Sequence, residues 1–278
     1  MERGIGAVKS VFVVISGKGG VGKSTVACQL AIGLAQKNLR VGLLDVDLCG
    51  PSIPRILGLE NAQVDQCSTG WLPIIADITT NNLLVMSIGF LLPDKNSAVV
   101  WRGPKKTSMI DQLLGSVCWG SLDALIIDTP PGTSDEHLAV VEKVREFAQD
   151  RLKGCIMVTT PQVSFAASRH YVLTFIQRVA LCDVRRQLSF CEKLQLPIVG
   201  LVENMSGVEC PNCNEVVNLF SSGGGEALAA AKGVNFLGRL PLNPRVTALS
   251  DSADTFSAKS ELSKYAVPLI ATVAALCS

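Results

Sequence analysis

The sequence predicts an α/β domain with a mostly parallel central sheet and helices on both faces. Three observations carry this reading. Short, continuously apolar runs recur along the chain, helical stretches lie between several of them, and the first run ends in a glycine-rich loop that opens a helix. Continuous rather than alternating apolar strands are what a parallel sheet buried on both faces requires.

Taken in order, Val11–Ser16 reads as a buried strand that stops at glycines, and Gly22–Lys37 as a helix with Val26, Leu30, Ile32 and Leu34 among its apolar positions. Val41–Asp45, Leu83–Ile88, Ala124–Asp128, Cys155–Thr159, Ile198–Glu203 and Phe236–Leu240 are further strands. Helices are expected at Asp135–Asp150, Leu188–Leu194 and Gly225–Lys232. No internal repeat or linker-like stretch divides the chain, so residues 11–278 form one domain after a short extension, residues 1–10.

Composition narrows the function classes. The 278 residues are 48% hydrophobic and only 5% aromatic, which fits a well-filled aliphatic core rather than disorder. A formal net charge of +1 gives no global field that would favour nucleic acid or an anionic membrane. Met1 to Ser10 lack the apolar run of a signal peptide, and no stretch is apolar for long enough to span a bilayer. Ten cysteines, most of them isolated in apolar segments such as those around Cys28, Cys155 and Cys191, read as reduced thiols of a cytoplasmic protein.

The loop Gly17-Lys18-Gly19-Gly20-Val21-Gly22-Lys23-Ser24 fits G-x-x-x-x-G-K-[ST], and it lies between strand and helix, where that pattern has meaning. Its glycines allow a tight turn that aims backbone N–H groups at phosphate, at a helix end that favours anions. Lys23 supplies charge to the β- and γ-phosphates, the Ser24 hydroxyl can ligate Mg²⁺, and Thr25 follows in the same helix. Two acidic segments, Leu43 to Asp47 and Leu125 to Gly132, end strands at the edge where open α/β sheets bind ligands. There Asp128 can hold Mg²⁺ through water. The elements and this loop together define a single P-loop NTPase domain. A second lysine in the loop, Lys18, cannot easily reach phosphates that Lys23 already serves; offered to a neighbouring subunit, it would act as an arginine finger does.

Cys210-Pro211-Asn212-Cys213 is the only C-x-x-C, and it sits in a polar, turn-rich segment. Cys₄ zinc and cubane iron–sulfur centres need four ligands. Either two distant single cysteines complete the site, or a second subunit brings its own pair. Thiolate ligands alone do not separate iron–sulfur from zinc.

The phosphate loop with its extra lysine resembles that of the MinD, ParA and Mrp ATPases. Four further segments narrow the resemblance to Mrp-type cytosolic iron–sulfur cluster assembly factors. They are Asp47 to Pro54, Trp101-Arg102-Gly103-Pro104, Asp128 to Glu136, and Glu203-Asn204-Met205-Ser206-Gly207. The likeness runs from about Val11 to Leu242. It implies that Lys18 acts across a nucleotide-sandwich dimer, that Asp47 orients the attacking water, and that Asn204 contacts adenine. It also implies a [4Fe-4S] cluster bridging two subunits through Cys210 and Cys213, with ATP and Mg²⁺ as cofactors. The expected activity is ATP hydrolysis coupled to building the cluster and passing it to cytosolic and nuclear apo iron–sulfur proteins. Homodimers are expected, and heteromers with the nucleotide-binding protein 1 type of ATPase, whose N-terminal four-cysteine motif this chain lacks.

One stretch departs from the family: extra residues, roughly 164–179, follow Thr160-Pro161-Gln162. A single helix over Ser164–Leu194 would be ~46 Å long, far beyond strands of about 20 Å. The segment must break, fold into an added helix or protrude. Two rival functions stand beside the leading one. A zinc-bridged dimeric ATPase acting in protein targeting would need an apolar, Met-rich client groove, and the five methionines are scattered. A membrane-bound positioning ATPase would need a basic amphipathic anchor, but the Glu261–Ser278 tail has one lysine and a central Pro268.

Overall fold

The computed structural model describes residues 4–76, 80–92, 102–161, 183–218, 223–244 and 264–277. In chain order the elements are β1 (Val8–Ile15), α1 (Lys23–Gln36), β2 (Val41–Asp45), α2 (Ile53–Ile56), β3 (Gln66–Cys67), β4 (Gly70–Trp71), β5 (Ile74–Ile75) and β6 (Leu83–Ser87). There follow α3 (Gly103–Gly115), β7 (Leu122–Asp128), α4 (Asp135–Ala148), β8 (Leu152–Thr159), α5 (183–193), β9 (Ile198–Glu209), β10 (Val216–Val217), α6 (Gly224–Lys232), β11 (Phe236–Leu242) and α7 (Val267–Ala275).

Among the described residues one sheet dominates, in the order β10-β9-β8-β1-β7-β2-β6-β5, with β11 also paired to β9. Its interior ladders are parallel; the short edge strands β5 and β10 are antiparallel. Every residue of β2 and β6 is buried, as the unbroken apolar runs require. The two-residue period of a strand divides the core between the faces. Val11, Val13 and Ile15 of β1 pack with Ile110, Leu113, Val140, Val144 and Leu188 of α3, α4 and α5. Phe12 and Val14 face Leu30 and Leu34 of α1 and Ile270 and Val273 of α7.

The expected elements are present with shifted ends, and three differences matter. β9 continues six residues past the expected Glu203 and so reaches Cys210 directly. α3, for which the sequence reading named no element, begins at Gly103-Pro104; proline is tolerated in a first helical turn, where its missing N–H costs nothing. Part of the tail containing Pro268 is α7, again with proline at its start, and Leu269, Ile270 and Val273 are buried core. The expected insertion, roughly 164–179, and Trp101 lie outside the described residues. No helix among the described residues is long and apolar enough to cross a membrane.

Candidate nucleotide site and cysteine hairpin

β1 ends at Ile15, and the chain turns through Gly20 and Gly22, both at φ +76°, before α1 begins at Lys23. A side chain at Gly22 would collide with Asn204 Nδ2, 2.3 Å from where its Cβ would stand, and at Gly17 one would lie 2.9 Å from Asp183 Cβ of α5. Positive φ and this crowding together favour glycine at position 22. The loop encloses a cavity of about 330 Å³ lined by Lys18, Gly19, Gly20, Val21, Gly22, Lys23, Ser24 and Thr25, with Asp47, Ser52 and Pro131 opposite.

Beneath the cavity lies a buried charge cluster. Lys23 Nζ donates to Asp128 Oδ1 at 2.5 Å, and Ser24 Oγ donates to Asp128 Oδ2 at 2.6 Å. Parallel pairing of β2 with β7 puts Asp45 beside Asp128, and both are fully buried. Asp45 accepts from the Asp47 N–H at 3.0 Å and the Ser87 hydroxyl at 3.0 Å. Burial first, then the charge of Asp128, pushes the Asp45 carboxyl up to about 7. Burial likewise raises Asp128, opposed by Lys23. Two carboxylates with one ammonium make a site short of positive charge, where an added cation is favourable.

Asp47 stands at the cavity wall, its Oδ1 accepting from the Gly50 N–H at 3.0 Å, so that the turn fixes its carboxylate. The segment after β7 is tied back to the loop, since Gly132 N–H donates to Ser16 O at 2.8 Å. It leads into α4, where Lys106 of α3 pairs with Glu136 at 2.7 Å. Oxygen groups of the kind Mg²⁺ takes are present here: Ser24 would ligate the ion directly, and Asp128 and Asp47 would hold it through water. Asn204 lies behind the loop rather than in the cavity lining, its Nδ2 donating to Val21 O at 2.8 Å.

Cys210 and Cys213 are apart from this cavity, on the hairpin joining β9 to β10. Cys210 N–H donates to Glu215 O at 2.8 Å and Asn214 N–H to Cys210 O at 2.9 Å, which closes a tight knuckle. The N–H groups of Cys213 and then Asn212 point at the Cys210 sulfur and lower its pKa. A thiolate so stabilised is ready to ligate metal. Among the described residues no group of three or more His, Cys, Asp or Glu surrounds them.

Sequence reasoning placed Asp45 in an acidic segment at the ligand-binding edge of the sheet without giving it a role; its full burial against Asp128 follows from the register of β2 on β7. The D-x-D spacing was the available signal, because alternate residues at a strand end face the same way. Ser87, which anchors Asp45, carries no motif.

Fold and site define a P-loop NTPase whose loop meets a buried lysine–carboxylate cluster. The chain belongs to the ParA family described as NUBPL iron-transfer P-loop NTPase, whose family model matches residues 7–276. It is 56% identical over 256 residues, 92% of this chain and 89% of the other, to the cytosolic Fe-S cluster assembly factor NUBP2 homolog of Trichoplax adhaerens. It is 50% identical over 249 residues, 90% of this chain and 79% of the other, to the cytosolic Fe-S cluster assembly factor CFD1 of Yarrowia lipolytica. Among solved structures, the nucleotide-binding protein of Archaeoglobus fulgidus in complex with ADP superposes with a TM-score of 0.73 at 33% identity, covering 94% of this chain and 91% of that one.

Proposed function

We propose that this chain is an ATP-hydrolysing scaffold that assembles a [4Fe-4S] cluster between two subunits and transfers it to cytosolic and nuclear apoproteins. The relatives named as cytosolic Fe-S cluster assembly factors support the class of function and its compartment. The observation that carries the finer reading is the path of β9. One strand holds Asn204, bonded to the phosphate loop, and six residues later delivers Cys210, whose thiolate its own turn stabilises. The nucleotide loop and the cluster ligands therefore share a continuous backbone.

The residues divide the work as follows. Backbone N–H groups of Gly19 to Lys23 cradle the phosphates, and Lys23 leaves Asp128 to neutralise the β- and γ-oxygens. Mg²⁺, when bound, offsets the remaining phosphate charge and relieves the excess of buried carboxylate. Asp47 positions water for in-line attack, while Lys18 reaches the phosphates of the opposite subunit and stabilises charge in the transition state. At the hairpin, Cys210 and Cys213 supply half of a four-thiolate site and a second subunit the other half, close to a twofold axis. Val216 and Val217 of the adjoining β10 are exposed, Val217 by 54%. The same pairing serves a homodimer or a heteromer with a nucleotide-binding protein 1-type ATPase.

Anaerobic reconstitution with ferrous iron and sulfide tests this reading. About four irons per dimer with thiolate-to-iron absorption are expected, lost in Cys210→Ser and retained in Cys28→Ser. Tight uptake of one zinc with iron excluded would instead establish the zinc-bridged alternative.

A further inference from the structure

Outside the lining of the phosphate cavity, two thiols from different segments are set in contact. The chain after α2 forms the β3–β4 hairpin, with Cys67 directly across from Gly70. This hairpin is sewn onto the segment that leads into β7. Trp71 N–H donates to Ser116 O at 3.0 Å, and Cys118 N–H returns to Trp71 O at 2.8 Å. Gly70 lies so near that segment that a Cβ there would sit 1.8 Å from Ser116 O, so only glycine permits the approach. With both backbones fixed, Cys67 Sγ and Cys118 Sγ stand 3.5 Å apart, and the Thr69 hydroxyl touches both, at 3.1 and 3.3 Å. Cys67 is partly exposed and Cys118 is 1% exposed.

We propose that Cys67 and Cys118 form a reversible thiol–disulfide site that reacts with hydroperoxides, Cys67 as the attacking thiol and Cys118 as the resolving one. The hydroxyl of Thr69 first, then its N–H and the Cys118 thiol, hydrogen-bond to the Cys67 sulfur and lower its pKa to about 7, so a large share is thiolate at neutral pH. An accessible thiolate beside a second cysteine is the arrangement that captures peroxide without passing to irreversible acids.

The chemistry balances. The Cys67 thiolate attacks one peroxide oxygen, the O–O bond breaks, hydroxide leaves, and Cys67 becomes a sulfenic acid. The Cys118 sulfur then attacks the Cys67 sulfur; the S–S bond forms, the S–O bond breaks, and the departing oxygen takes the Cys118 proton as water. Two electrons pass from the thiols to the peroxide, and a thiol reductant reverses the change. The sulfurs need only close from 3.5 Å to the roughly 2.05 Å of a disulfide. The pair lies before Leu122, at the end of β7 opposite Asp128, so the bond leaves the phosphate cavity intact.

The test is to treat the reduced full-length chain with equimolar hydrogen peroxide, block residual thiols with N-ethylmaleimide and map peptides by mass spectrometry. A Cys67–Cys118 cross-linked peptide is expected, abolished by dithiothreitol and by Cys67→Ser, with nucleotide affinity unchanged. In Cys118→Ala, Cys67 should instead be trapped by dimedone as sulfenic acid. The proposal is overturned if Cys67 remains fully alkylable at doses that oxidise the exposed Cys49 or Cys213. It is equally overturned if Cys67 passes to sulfinic acid in the native chain without the cross-link. Cys67→Ser replaces a partly exposed side chain, so its folding does not depend on tolerance at the buried Cys118.

Discussion

His137 shows how much a single buried side chain can set. It occupies the third position of α4, where a helix start usually carries Glu or Gln, and its Nδ1 accepts from the Ser134 N–H at 3.2 Å. An accepting Nδ1 puts the proton on Nε2. Burial, aided by Lys23 and opposed by Glu136, depresses its pKa from 6.5 to about 4. The folded chain thus holds His137 neutral where the unfolded chain is already protonated. The resulting stability is present above about pH 6.5 and is lost as pH falls towards 4, by up to roughly 3 kcal/mol for a shift of this size. His137→Gln keeps the cap and removes the titration. Denaturant melts from pH 7 to 4 should show the native chain losing stability relative to the variant; parallel curves would refute it. Buried Asp45 shifts in the opposite sense, and comparing the two proteins cancels its contribution.

At the scale of elements, α1 and α7 meet at Gly33. A Cβ there would lie 2.2 Å from Ile270 Cδ1 and 2.7 Å from its Cγ1, so turning the tip of the isoleucine does not clear the clash. Alanine in a helix interior ordinarily gains about 1 kcal/mol over glycine. Here overpacking of about 1–3 kcal/mol opposes that gain, and Gly33→Ala is expected to be net destabilising by urea titration. A more stable variant would show that α7 is free to move away. The contact also marks where sequence reading stops. The interior strands were legible because each is a continuous apolar run with glycine or aspartate at its end, and the phosphate loop because spacing and context coincide. α7 was not, since proline within a short apolar tail reads equally as a breaker or as a first helical turn. The hairpin β3–β4, two residues per strand, offers no period to read. The reach of β9 to Cys210 was hidden too, because Met205 at φ +58° and Gly207 at φ +86° interrupt the pattern of an ordinary strand.

For the whole molecule, the decisive question is whether the catalytic site belongs to one chain or two. Lys18 and Lys23 line the same cavity, yet only Lys23 has a salt bridge there among the described residues, to Asp128. Lys18 is half-buried at the cavity lining, and its backbone carbonyl accepts from the Ser16 hydroxyl at 3.1 Å. A charge that acts only on the transition state affects turnover and leaves ground-state binding alone. Lys18→Ala should therefore bind ATP with near-native affinity and lose hydrolysis by 10³-fold or more, in the range of arginine fingers. Lys23→Ala should lose most nucleotide affinity, because it deletes charge that the ground state already uses. In an alternating dimer, Lys18→Ala chains mixed with Asp47→Asn chains create one composite site with Asp47 from the first and Lys18 from the second. Mixed dimers, verified by differential tags, should regain up to about half the native turnover per dimer, since one of the two sites is then complete. Mixed dimers as inactive as either parent would place Lys18 within its own subunit's site and remove the reason for a nucleotide sandwich.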